Sequence, residues 1–265
     1  MRLALAQIIS TDDGEANLAI VERFATDARA QGAELVVFPE ATMRAFGGTL
    51  ADVAEPIDGP WATAVRAIAA RLDLTIVVGM FTPGEAGRVR NTLLVAAPDT
   101  VAHYDKVHLF DAFGFAESDT VDAGDRAVTV AVGGTTIGLA TCYDLRFPAL
   151  FLSNAVAGAR LSIVCASWGA GPGKAEQWDL LVRARAVDTT TFVIAVGQGD
   201  PASQGRASTG AAPTGIGRSA VVSPFGEILH QLGAQEGLLV VDVDPGELDA
   251  ARQKLPVLAN RRLDL

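Results

Sequence analysis

Two cysteines, Cys142 and Cys165, are the only thiols in the 265 residues, and their settings differ. Cys142 follows the run Thr136-Ile137-Gly138-Leu139-Ala140-Thr141 and stands just before a segment predicted to be helical from Phe147. A strand-to-helix turn lifts a side chain out of a sheet. It also sets that side chain beside backbone N–H groups and a positive helix end, which lower a thiol pKa and can hold an oxyanion. The same position suits a small buried strand cysteine. Cys165 lies inside Leu161-Ser162-Ile163-Val164-Cys165-Ala166 and reads as core. A thiol nucleophile needs a base, most often a histidine, yet His103, His108 and His230 carry no distinctive context. Two charged residues stand out instead. Glu40 closes the apolar run Leu35-Val36-Val37-Phe38-Pro39, where a desolvated carboxylate can serve as a base and where a helix-starting glutamate is equally at home. Lys106 follows a short strand ending Tyr104-Asp105 and alone reads as a surface lysine.

The elements that must position these groups alternate between strands and helices. Apolar runs predict strands at 3–9, 34–38, 74–81, 90–97 and 101–105, and helical spacing predicts helices at 16–30 and 61–72. The stretch from Asp105 to Gly124 reads as irregular. Residues 128–132 and 135–141 form a hairpin across Gly133-Gly134, followed by a helix at 147–157, a strand at 161–166, a helix at 176–189 and a strand at 191–196. A Gly/Ser/Pro-rich loop runs from Gln198 to Gly217. Three strands at 219–223, 228–232 and 238–243, a helix at 245–252 and a tail close the chain. This order predicts an α/β fold with a mixed sheet or a two-sheet sandwich rather than a doubly wound parallel sheet. No composition break marks a linker, so the expectation is one domain over 1–265 with a C-terminal tail from about 254.

Composition excludes several roles. Net charge is −10, from 21 Lys+Arg against 31 Asp+Glu, and a nucleic-acid or anionic-membrane surface needs clustered cations instead. No apolar run is long enough to span a bilayer, and the N-terminus turns polar by Ser10-Thr11-Asp12, too early for a secretory leader. A cytoplasmic protein is expected. The few, scattered His and Cys residues do not suggest an ordinary zinc site or a disulfide framework.

Three segments taken together carry a family signature. Phe38-Pro39-Glu40, Tyr104-Asp105-Lys106-Val107-His108-Leu109-Phe110-Asp111 and Cys142-Tyr143-Asp144-Leu145-Arg146-Phe147-Pro148 resemble the signature segments of the nitrilase, or carbon–nitrogen hydrolase, superfamily. Their key residues lie 66 and 36 positions apart, in the order that resemblance requires. Arg183-Ala184-Arg185-Ala186-Val187-Asp188 and Gly217-Arg218-Ser219, running on to Pro224-Phe225-Gly226, resemble two further family segments, so the likeness spans nearly the whole chain.

The resemblance implies a four-layer α-β-β-α sandwich and a Glu40–Lys106–Cys142 triad. It implies a second glutamate, Glu117 in Phe115-Ala116-Glu117-Ser118, which would position the amide or Lys106. It also implies a homodimer or higher homo-oligomer, formed through the helix after Cys142 and the C-terminal tail. The expected reaction needs no cofactor or metal: hydrolysis of a small amide by way of a thioester. Lys106 and the backbone N–H of Tyr143 would hold the oxyanion.

The residues after the cysteine are most similar to the Nit branch, whose ω-amidases and deaminated-glutathione amidases take carboxylate-bearing substrates. Arg146 and Lys174 are the two candidate anchors for that carboxylate. The segment from Phe110 to Glu117 is shorter than in that branch, and Ala175-Glu176-Gln177 replaces a usual histidine before Trp178. Both departures bear on specificity. Nitrile hydrolysis, N-carbamoyl amino acid hydrolysis and a non-catalytic binding role on the same fold stay open at this stage.

Overall fold

A seven-stranded and a six-stranded sheet are the centre of a computed structural model that describes residues 1–98, 100–112, 114–206 and 212–263. In the first sheet, β1 (Arg2–Gln7), β2 (Leu35–Val37), β3 (Thr75–Pro83), β4 (Val89–Ala96) and β5 (Val101–Asp105) lie side by side in chain order. In the second, β6 (Thr129–Val132), β7 (Thr135–Thr141), β8 (Leu161–Ala166), β9 (Phe192–Gly197), β10 (Ala220–Val222) and β11 (Ile228–Gln231) do the same. The last strand, β12 (Gly237–Asp242), returns to the first sheet and pairs antiparallel with β1, Arg2 facing Asp242. Along these strands both sheets show the same sequence of pairings: one antiparallel edge, two parallel pairs, then two antiparallel pairs.

Alternation along each strand sorts side chains between two cores. Leu3, Leu5, Leu35 and Val37 face the second sheet and meet Ile137, Leu139, Ile163 and Ile194. Ala4, Ala6, Val36 and Phe38 point the other way, against α1 (Gly14–Ala30) and α2 (Pro60–Leu72) through Val21, Phe24, Val65 and Ile68. On the outer side of the second sheet, α3 (Pro148–Val156) and α4 (Lys174–Thr189) bury Phe151, Trp178 and Val182. The layers are therefore helix, sheet, sheet, helix, the sandwich the sequence implied. A short helix, α5 (Glu247–Lys254), follows β12. Among the described residues no helix is long and apolar enough to cross a membrane.

Two expectations need correction. The helix expected to begin beside Cys142 is preceded by a 3₁₀ turn, Cys142–Arg146, and Pro148 starts α3 at a position where its missing N–H costs nothing. The stretch expected to be irregular holds a small ladder, Asp111–Ala112 with Phe115–Ala116, then a 3₁₀ turn over Glu117–Asp119, and Val121–Asp122 pairs with β4. Residues 207–211 of the expected loop and the last two residues of the tail lie outside the described residues.

Candidate active site

Glu40 follows β2 at the carboxyl end of the parallel strands, where α/β sheets open into crevices. The chain turns sharply there, and Ala41 takes a left-handed φ of 57°. Gly79 on β3 makes this turn possible, because a Cβ there would lie 2.7 Å from the backbone of Pro39 and Ala41. Gln198 supports the turn from the second sheet, its Nε2 donating to the Glu40 carbonyl at 2.9 Å and to Ser10 Oγ at 2.7 Å. The Glu40 side chain is fully buried. Its Oε1 accepts from Asn91 Nδ2 at 2.7 Å and from Lys106 Nζ at 3.1 Å, and its Oε2 accepts from the Ser167 N–H at 2.7 Å. Burial pushes the Glu40 carboxyl above the ordinary glutamate range, against the pull of Lys106, while Glu117 pushes it further up.

Lys106 leaves β5 pointing into the same space. Its Nζ donates to Glu117 Oε2 at 2.8 Å and Oε1 at 3.1 Å as well as to Glu40, and two carboxylates hold the buried ammonium charged against its desolvation. The Glu117 carboxylate is fixed by the Phe110 N–H at 2.7 Å and by Asn91 Nδ2 at 3.2 Å. The structure thus brings Glu40, Lys106 and Glu117 into one hydrogen-bonded cluster.

Cys142 opens the 3₁₀ turn with φ 47°, a strained value for a residue with a Cβ. Its Sγ lies 3.8 Å from the Ser167 carbonyl, whose residue also donates its N–H to Glu40 Oε2. The expected lowering of the thiol pKa is not found. Burial, reinforced by Glu40 and Glu117, pushes the thiol well above its ordinary value, and Lys106 only partly opposes this. The turn supplies geometry, and a proton leaving this thiol would need a neighbouring base.

A buried carboxylate locks this turn to the lysine strand. Asp144 Oδ2 accepts from Tyr104 Oη at 2.6 Å and the Thr141 N–H at 2.8 Å, while Oδ1 accepts from the His108 N–H at 2.9 Å and lies 2.7 Å from His108 Nδ1. The imidazole stacks on Phe147, with centroids 3.8 Å apart. Tyr104 and His108 flank Lys106, and Thr141 and Asp144 flank Cys142, so one side chain sets the distance between ammonium and thiol. His108 had no distinctive context in the sequence, and its role in this clamp comes from the fold.

Glu40, Lys106, Glu117, Cys142 and Ser167 line a cavity of about 430 Å³. Phe46, Phe110, Phe115, Tyr143 and Trp168 wall it, and Arg146 and Lys174 face into it. The Arg146 guanidinium donates to Gln177 Oε1 at 2.6 Å and packs over the Tyr143 and Trp168 rings. Lys174 Nζ sits 5.7 Å from the Phe110 ring, its pKa lowered by burial and by Arg146. Trp168 Nε1 donates to the Lys174 carbonyl at 2.9 Å and pins the Gly169–Gly173 loop. Glu40, Lys106, Glu117, Cys142, Tyr143, Arg146 and Lys174, the candidate site residues of the sequence, therefore line one cavity. Asn91, Ser167, Gln198 and Asp144 join the site without having been singled out. Among the described residues no group of three or more His, Cys, Asp or Glu is arranged to hold a metal ion.

A profile described as carbon–nitrogen hydrolase matches residues 2–253. The chain belongs to the carbon–nitrogen hydrolase family. A hydrolase of Mycobacterium tuberculosis is 54% identical over 98% of this chain and 95% of its own length. A deaminated glutathione amidase of Escherichia coli O157:H7 is 34% identical over 99% of this chain and 97% of its own. Among solved structures, a CN-hydrolase superfamily protein of Xanthomonas campestris with an arsenic adduct in its active site superposes with a TM-score of 0.85. It is 29% identical and covers 100% of this chain and 98% of its own. Within the carbon–nitrogen hydrolases, the likenesses place the chain in the Nit-like branch.

Proposed function

We propose that this carbon–nitrogen hydrolase is an amidase that cleaves the terminal amide of a small carboxylate-bearing molecule, such as the ω-amide of a 2-oxo acid or a deaminated-glutathione-like compound. One observation carries the reading. A thiol on a strained turn meets a buried glutamate–lysine–glutamate cluster in a cavity that holds two further cations. The named activity of the Escherichia coli relative supports it.

The mechanism follows from the placement of each group. Glu40 takes the thiol proton as Cys142 Sγ attacks the amide carbon. Negative charge moves to the carbonyl oxygen, where Lys106 and the Tyr143 N–H receive it, and losing one such donor typically costs about 3 kcal/mol. Glu40 then delivers its proton to the nitrogen, the C–N bond breaks, and ammonia departs from a thioester. Water attacks the thioester while Glu40 takes its proton. Collapse frees the acid, and the proton on Glu40 returns to sulfur. Glu117 keeps Lys106 charged and aimed. Burial suits Glu40 to this shuttling, because a raised carboxyl pKa makes it a better proton acceptor. Arg146 and Lys174 would take the substrate's carboxylate at the cavity mouth.

Ammonia release from α-ketoglutaramate, succinamate, N-carbamoyl amino acids and simple nitriles tests the reading. Turnover of the first two is expected. Turnover confined to the nitriles or the carbamoyl compounds would overturn it.

The chain's partner, we further propose, is a second copy of itself. Leu180 and Val187 on α4 and Phe225 in the β10–β11 turn are exposed, and the Arg183 Nε bond to the Gly226 carbonyl makes that turn continuous with the helix. Beside them, buried Arg185 has Nε and Nη1 without hydrogen-bond partners among the described residues.

A further inference from the structure

Three buried groups exchange hydrogen bonds beneath Cys142, but only one carboxylate oxygen among them is placed to carry a moving proton. We infer that Asn91 is the positioning residue that reserves this oxygen, Glu40 Oε2, for the proton; the inference rests on the amidase reading above for what that proton does.

The argument is a count of donors. A carboxylate oxygen offers about two lone-pair sites. Glu40 Oε1 receives Asn91 Nδ2 and Lys106 Nζ. Glu117 Oε1 receives the same two donors, at 3.2 and 3.1 Å. Glu117 Oε2 receives Lys106 Nζ and the Phe110 N–H. Each of these three oxygens already faces two N–H groups, and a proton added to any of them would point at another hydrogen. Among the described residues, Glu40 Oε2 receives a single N–H, that of Ser167. The Ser167 carbonyl is also the group beside Cys142 Sγ, so one residue's backbone sets Oε2 on the side of the thiol.

Asn91 completes this arrangement from the middle of β4, where it is fully buried and opposite Phe81 of β3. Carboxylates only accept, so the amide's NH2 must face them. Its two hydrogens serve one glutamate each. The other end, Asn91 Oδ1, is buried without a hydrogen-bond partner among the described residues. An unsatisfied buried carbonyl is costly, and an apolar residue of similar size would avoid it. The position therefore holds an asparagine for its two donors and not for packing. Unlike Lys106, the amide is a fixed donor that cannot give up a proton, so it fills Glu40 Oε1 at every step. The charged and titratable groups around Glu40 are Lys106, Glu117, Cys142 and, more distantly, Cys165.

The test compares wild type with Asn91→Leu, which keeps the branched shape in a larger volume and removes both donors, and Asn91→Ser, which keeps one. Two profiles are recorded on the intact chain. The first is the rate of Cys142 alkylation by iodoacetamide against pH, read by mass of the labelled peptide. The second is kcat/KM for ammonia release against pH. Without Asn91 the Glu40 carboxylate loses a donor to its charged form, and the acid limb of both profiles is expected to move up by about one pH unit in Asn91→Leu and by less in Asn91→Ser. An acid limb unchanged in folded variants, whatever happens to melting temperature, overturns the proposal. If Asn91→Leu does not fold, Asn91→Ser decides alone. Alkylation needs no amide, so it reads Asn91 even if the amidase reading fails. Conversely, amide turnover with an unshifted limb rejects Asn91 and leaves the amidase intact.

Discussion

Cys142 and Cys165 share a core yet differ in what surrounds the sulfur. Cys142→Ala is expected to abolish ammonia release. Cys165→Ala should retain it at the expense of about 1 kcal/mol of stability from the small void left in the core, read by urea titration. Equal loss of activity from both would break the assignment. The raised Glu40 carboxyl has a pH consequence. The free enzyme needs Glu40 ionised to take the thiol proton, so kcat/KM should fall as pH drops through a pKa above the ordinary glutamate value of 4.5, and the limb should vanish in Glu40→Gln along with most activity. Glu40, Lys106, Glu117 and Cys142 were legible in the sequence because few residue types do this chemistry and because three motifs occur in order. Asn91 and Ser167 were not. One acts through an amide in the middle of a strand, the other through its backbone, and neither leaves a spacing to find. The thiol's electrostatics were misread for a related reason. A strand-to-helix junction signals favourable dipoles, but burial and two nearby carboxylates come from segments 25 and more residues away and outweigh them.

At the scale of elements, most strands and helices were legible from apolar periodicity, and their ends shifted by no more than two residues. The exceptions lie around the site. The 3₁₀ turn at Cys142–Arg146 arises because Asp144 is bonded by Tyr104 and His108, contacts that no local pattern reports. Asp144→Asn should loosen the link between the lysine strand and the nucleophile turn, lowering kcat about 10-fold or more with little change in the helix signal by circular dichroism. Gly79 gives a second test of element placement. A methyl group there would drive β3 against the Glu40 turn, so Gly79→Ala should cost about 1–3 kcal/mol and reduce activity by displacing the carboxylate, measured by thermal melting and by ammonia release. Retention of full activity would show that the turn can retreat.

The whole molecule presents Leu180 at 66% and Phe225 at 54% exposure on one side of α4, more apolar surface than that helix needs if it faces water alone. Light scattering should return twice the chain mass, and Leu180→Asp together with Phe225→Asp should return the monomer. A monomeric wild type would reject the pairing. The acidic total of −10 says little about the site, where Arg146 and Lys174 set the local sign.

The pairing of β1 with β12 has a further consequence, in time rather than space. Arg2 and Asp242 are joined by hydrogen bonds across 240 residues, so β1 has no edge partner on that side until β12 has been synthesised. Closures over such long loops come late and slowly. The site draws Glu40, Lys106 and Glu117 from segments connecting strands of the first sheet or leading from it, and Cys142 and Ser167 from the ends of strands of the second, so it cannot exist before the two sheets meet. On refolding from denaturant, secondary structure should therefore return well before hydrolysis does, with the lag measuring the docking of one sheet on the other.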